Sequence, residues 1–187
     1  MVSKQENLNV SPGMVRRLLR ENRTMGVQLA SHEFRRMLTE LSNPSPFMFE
    51  LDFPGETPAP ASDIPMIVDD PIAQNLPRLN VNIGSIVSVQ NPNSLPPIGI
   101  HIPDAPPDEL RPALRALMTA HATEPFARFV FLCDSYRPIP FLGRYNFVYE
   151  YLGATPLERA AERAALRFGI KEVRSLVGTR QLWTRDS

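Results

Sequence analysis

Eight prolines fall between Pro44 and Pro77, and neither a helix nor a central strand can run through them. Each proline fixes φ and lacks a backbone N–H, so it removes an interior helical or ladder hydrogen bond wherever it falls. The chain has 20 prolines in 187 residues, about twice the usual share of ~5%, and this cluster divides it into three parts. Residues 1–42 precede the cluster, residues 43–78 contain it, and residues 79–187 follow it.

The middle part is not a featureless linker. It carries Phe47, Phe49, Leu51, Phe53, Ile64, Met66 and Ile67, with Glu50, Asp52, Glu56, Asp63, Asp69 and Asp70 set against Arg78. A purely disordered linker has fewer large apolar residues. The segment reads as an extended arm, with those seven residues as anchors on its own domain or on a partner. Its aspartates are scattered and lack the glycine turn of a calcium loop.

Ahead of the arm, Ser11-Pro12 is a helix start, with serine as N-cap and proline at the first helical position. Met14, Val15, Leu18 and Leu19 then share a face, and the pattern breaks near Asn22 to Gly26. Phe34, Met37, Leu38 and Leu41 repeat at helical spacing from about Ser31. The expectation is a helical pair over 1–42, too small to bury a core of its own. Arg16, Arg17, Arg20, Arg23, Arg35 and Arg36 invite a helix-turn-helix reading, but Glu21, Glu33 and Glu40 between them describe ordinary solvated faces.

The third part holds the densest apolar material, Phe126 to Gly153. Ala127 to Leu132 suits a strand buried on both faces. Arg144 to Tyr151 alternates, with Tyr145, Phe147, Tyr149 and Tyr151 on one face. Around this pair, residues 79–89 read as a strand bulged at Gly84, and Ile98 to Ile102 as a strand. Leu110 to His121 reads as an amphipathic helix with Pro112 in its first turn. Thr155 to Glu158 is a capping box opening a helix to Phe168, ended by Gly169. Glu172 to Val177 and Arg180 to Trp183 form a hairpin around Gly178-Thr179. Residues 98–183 thus follow strand, helix, strand, strand, helix, strand. That is the order of a ferredoxin-like βαββαβ sandwich in the α+β class, with two helices on one face of an antiparallel sheet and an extra N-terminal strand.

Several chemistries lack their motifs. There is no phosphate loop, no GxGxxG turn and no HExxH. His32, His101 and His121 are far apart and Cys133 is the one cysteine, so no metal-ligand spacing arises and no cofactor is expected. Cys133 as a nucleophile and His101 as a general base are the enzymatic candidates, each set against a plainer reading as a core thiol and a satisfied histidine. A single cysteine excludes an intrachain disulfide and fits a reducing, cytoplasmic compartment. No apolar run reaches the length of a membrane span. The formal net charge is zero, which gives no general attraction to polyanions.

Tyr145-Asn146-Phe147-Val148 resembles the centre of the third-strand pattern of the RNA recognition motif, although Gly143 and Arg144 stand in reversed order and Glu150 sits where the last aromatic belongs. That resemblance implies single-stranded RNA stacked on Tyr145 and Phe147, with Tyr149 beside them. The leading expectation is different. It is a non-catalytic structural or assembly protein whose N-terminal arm mediates subunit or partner contacts, homo-oligomeric or with another protein, with RNA binding and a small-ligand or enzymatic domain as alternatives.

Overall fold

The computed structural model describes residues 11–43, 77–178 and 180–185. The first of these form one uninterrupted helix, α1 (Pro12–Ser42). Ser11 caps it by accepting a hydrogen bond from the Met14 amide at 3.3 Å, and Pro12 sits in the first turn. The expected break near Gly26 does not occur. Glycine lowers helix propensity by only about 1 kcal/mol, and here the missing side chain leaves room for Ser88, whose Oγ would lie 3.3 Å from an added Cβ. The expected helical pair is therefore a single helix.

Five strands form one sheet in the order β3-β2-β1-β4-β5. They are β1 (Pro97–Ile102), β2 (Arg128–Cys133), β3 (Val148–Tyr151), β4 (Glu172–Ser175) and β5 (Gln181–Thr184). β1 pairs in parallel with β2 and β4, and β2 pairs in parallel with β3. Only β5 runs antiparallel, through the expected hairpin from β4. Three further helices connect the strands: α2 (Pro107–Thr123), α3 (Ile139–Arg144) and α4 (Leu157–Phe168).

The fold is mixed α and β, but its topology differs from a ferredoxin-like sandwich. The order and direction of β1 to β3 match one half of a doubly wound sheet, and β4 lies parallel on the other side of β1, where the second half of such a sheet begins. The cause lies between Cys133 and Val148. A strand was expected to begin at Arg144, but Ile139–Arg144 is helical and the strand is only Val148–Tyr151. A hairpin reverses direction in two to five residues. Residues 134–147, folded around α3, are long enough to carry the chain back and start β3 parallel to β2.

Alternation along the strands feeds two cores. Ile100, Ile102, Phe129, Phe131 and Cys133 point to the side covered by α1, α2 and α3, where Met37, Leu41, Leu110, Leu114 and Met118 meet them. Val130, Leu132 and Val173 point to the other side, where Ala160, Ala161, Ala164 and Ala165 of α4 pack against them. The small alanines bring α4 close to the sheet. Glu150, on the edge strand and 8% exposed, is neutralised from α4 by Arg163 at 3.4 Å and by Arg167.

Residues 77–90 contain no strand. They pass from the α4 core at Val81 to the opposite core at Ile86, with Ser85 N donating to Tyr145 O at 2.8 Å. Gly84 has φ +90, and a Cβ there would lie 2.4 Å from the Phe147 ring, so glycine is required for conformation and for space. The phase shift in the sequence at Gly84 marks this crossing between faces, not a bulge. Two smaller differences concern proline. α2 opens at Pro107, so Pro112 falls in its second turn. Pro156 occupies the N-cap position of α4, so Thr155 forms no capping box. Gly169 does end α4 in the left-handed conformation, at φ 75.

Candidate functional site

The inner half of α1 is anchored to the domain. Met37 and Leu41 are buried, Phe34 and Leu38 pack beside them, and the helix lies against α2. Full burial of each such side chain contributes about 1.5–3 kcal/mol. Glu40 adds a polar lock. Its carboxylate accepts from Tyr145 Oη at 2.7 Å and from Arg144 at 2.6 Å. Burial, together with this carboxylate, raises the Tyr145 phenol above its ordinary range. Arg115 donates to Ser42 Oγ at 2.9 Å at the end of the helix.

The outer half is different. Beyond Gly26 beside Ser88 and Arg23 beside Gln90, it carries exposed apolar side chains: Met14, Val15, Leu18, Leu19, Met25, Val27 and Leu29, between 41% and 64% accessible. At about 100° per residue, the docked residues Ala30, Phe34, Met37 and Leu41 centre on one line. Val15, Leu18, Met25 and Leu29 centre on another, about 120° around the helix. The exposed line does not continue the docked one; it is a second face.

A second feature lies at the carboxyl ends of the parallel strands. His101 and Asp134 alternate onto the α4 side of β1 and β2, and His101 Nε2 lies 3.0 Å from Asp134 Oδ2. The ring is held by the strand, because Leu176 N donates to His101 O at 2.9 Å and Asp134 N donates to Ile102 O at 3.0 Å. The Tyr136 and Tyr151 rings stack alongside, with centroids 3.8 Å apart. Burial raises the Tyr151 phenol, aided by the hydrogen bond with Tyr136 and by Asp104. Ser135 Oγ is buried without a hydrogen-bond partner among the described residues. A carboxylate holding an imidazole in one orientation can support general-base chemistry, and it can equally clamp two strand ends. β1 and β4 adjoin here, which is where doubly wound sheets bind ligands. A groove of about 520 Å³ opens at the opposite end of the sheet, between Arg78, Asn93, Arg128 and Lys171.

The structure separates the residues singled out from the sequence. Phe47, Phe49, Leu51, Phe53, Ile64, Met66 and Ile67 lie outside the described residues. Tyr145, Phe147 and Tyr149 do not share an exposed face. Tyr145 is wholly buried against Phe141, Phe147 is buried against Phe131, and only Tyr149 of the three shows its ring to solvent. Cys133 is buried at the end of β2, and burial, with Asp134 adding to it, pushes its thiol up to about 12. Such a thiol is protonated and inert at neutral pH. His101 is paired with Asp134, a partner the sequence did not single out. The signal was available: in parallel strands, the residue just past the end of β2 and the residue near the end of β1 alternate to the same face.

Among the described residues, no group of three or more His, Cys, Asp or Glu could hold a metal ion. No described helix is long and apolar enough to cross a membrane. No protein-family model, curated protein or solved structure matches this chain.

Proposed function

We propose that this protein is a non-catalytic assembly module that makes protein–protein contacts through the outer half of α1. One observation carries the reading. A 31-residue helix is fixed to a folded domain by its last turns and holds out an apolar face that its own described residues leave uncovered. Isolated helices shorter than about 12–15 residues are marginal in water, and most helical stability comes from packing an apolar face. A covered face would keep the outer half helical. Amide hydrogen exchange on the full chain tests this. Protection over residues 15–29 approaching that of residues 30–42 is expected. Exchange of 15–29 at the rate of an unfolded peptide would sink the reading.

A second reading is small-ligand binding at the carboxyl edge of the sheet. The His101–Asp134 pair beside the β1/β4 boundary favours it. Its test is a two-dimensional NMR titration with a panel of metabolites. Selective shifts of His101, Asp134, Ser135 and Tyr136 that Asp134→Asn abolishes would support it, and a panel with no shifts there would count against it.

A further inference from the structure

We propose that the partner on the outer half of α1 is a second copy of this chain, and that the two helices pair as a short two-stranded coiled coil. The inference rests on the assembly reading above and names its occupant.

The spacing is that of a heptad seam. With Val15 at position a, Leu18 falls at d, Asn22 at a, Met25 at d and Leu29 at a. All five are exposed, and they fall within about 80° of the helix circumference. Met14 at g and Leu19 at e widen the strip. The charges lie elsewhere: Arg16 and Arg23 at b, Arg17 at c and Arg20 at f. Glu21 at g is already bound to Arg17 on its own helix at 2.8 Å. Valine at a with leucine at d is the combination that favours two strands.

Asn22 points to the identity of the occupant. A polar residue at one a position costs stability and selects register and stoichiometry. An unrelated helix offering an apolar side chain opposite it would leave the Asn22 amide desolvated and unpaired. A second copy offers another Asn22, and the two amides can satisfy each other. Val15 and Leu29 flank Asn22 symmetrically, seven residues away on either side. In a parallel, in-register pair position a faces position a, so Asn22 meets Asn22.

Area and charge agree with this choice. Met14, Val15, Leu18, Leu19, Met25 and Leu29, on and beside the seam, offer roughly 600 Å² of apolar surface per copy, the upper end of what a monomer usually exposes; Val27 lies off it. Two copies would bury at most about 1,200 Å² together from these side chains, the lower bound of a specific interface. The chain's own acidic stretch, residues 44–76, has six carboxylates and no lysine or arginine. It would be drawn to Arg16, Arg20 and Arg23, whose line lies about 145° from the seam. Residues 11–29 of each copy carry four arginines and one glutamate, so two copies repel at low ionic strength. Salt screens that repulsion and leaves the apolar seam intact. Self-association should therefore strengthen with salt, whereas capture of an acidic segment should weaken.

The test is light scattering on the full chain over a concentration series, at low and high salt. The expected mass is twice 21.0 kDa, with more dimer at high salt. Leu18→Glu should raise the dissociation constant by about tenfold or more, and Leu18→Ala is the milder second variant. Circular dichroism melts should show the domain still folded in both. Asn22→Leu should tighten association or change its stoichiometry. A mass of 21.0 kDa at every concentration and salt would overturn the proposal, as would a dimer indifferent to Leu18→Glu. Hydrogen exchange separates the two failures. A monomer with residues 15–29 protected loses only the second copy, and a monomer with them unprotected loses the assembly reading as well.

Discussion

Residues 30–42 of α1 lie against α2 and α3, with Met37 and Leu41 buried and Glu40 bound to Arg144 and Tyr145. Residues 12–29 of the same helix hold comparable apolar side chains in solvent. Composition does not distinguish the halves, and neither does helical hydrogen bonding. The difference is rotational, because the apolar line moves about 120° around the axis between Leu29 and Ala30. A rigid helix can turn only one line toward a given domain. The other line is left for something else, and that is the physical basis for reading the outer half as an interface.

Substitutions can test this contrast, starting where the effect should be largest. Met37→Ala removes a fully buried side chain and should cost about 2–5 kcal/mol in chemical denaturation. A loss below about 1 kcal/mol would mean the inner half is not docked as described. Glu40→Ala leaves the Tyr145 hydroxyl and Arg144 without their carboxylate partner and should cost about 1–3 kcal/mol. The same variant should bring the Tyr145 phenol back toward its ordinary range in a spectrophotometric titration.

The loop at the border between the halves supplies a pH test. His121 Nε2 lies 3.2 Å from Ile83 O, and the imidazole is buried against Phe126 and Phe129. Burial lowers its pKa, outweighing the opposing hydrogen bond to Ile83. The unfolded chain therefore takes up this proton first as pH falls. The stabilisation is complete above the ordinary imidazole range of about 6.5 and is lost as pH drops below it, by at most about 1.4 kcal/mol per unit. Denaturant midpoints should fall with acidification in this window, and the fall should be shallower in His121→Leu. Equal slopes in the two proteins would remove His121 as the cause. Smallest of all, Leu18→Ala should change domain stability by less than about 0.5 kcal/mol in dilute solution, measured by the same denaturation. A loss comparable to that of Met37→Ala would erase the distinction between the halves.

Parts of this architecture were legible residue by residue. Ser11-Pro12 as a helix start, the isoleucine face of β1, the two-sided burial of β2 and the glycine that ends α4 are all present in the structure. The β4–β5 hairpin is there too. The two-sided burial of β2 was also the one local sign of a parallel sheet. Its weight was lost because Arg144 to Tyr151 alternates so regularly that it reads as one strand. Tyr145 and Phe147 instead fill a turn and a core. The His101–Asp134 pair was half legible, since His101 could be singled out but its partner depends on how β1 and β2 lie together.

By itself, then, the sequence determined the local elements and the spacing along α1. Caps, proline positions and apolar periods act within a few residues, where covalent geometry and side-chain sterics suffice. Tertiary structure alone decided strand order and direction, the continuity of α1 through Gly26 and which of its two apolar lines is buried. Those depend on contacts between residues far apart in the chain. Ser88 beside Gly26 and Glu40 beside Tyr145 are two of them. Their free energy is realised only once the sheet has brought the partners together.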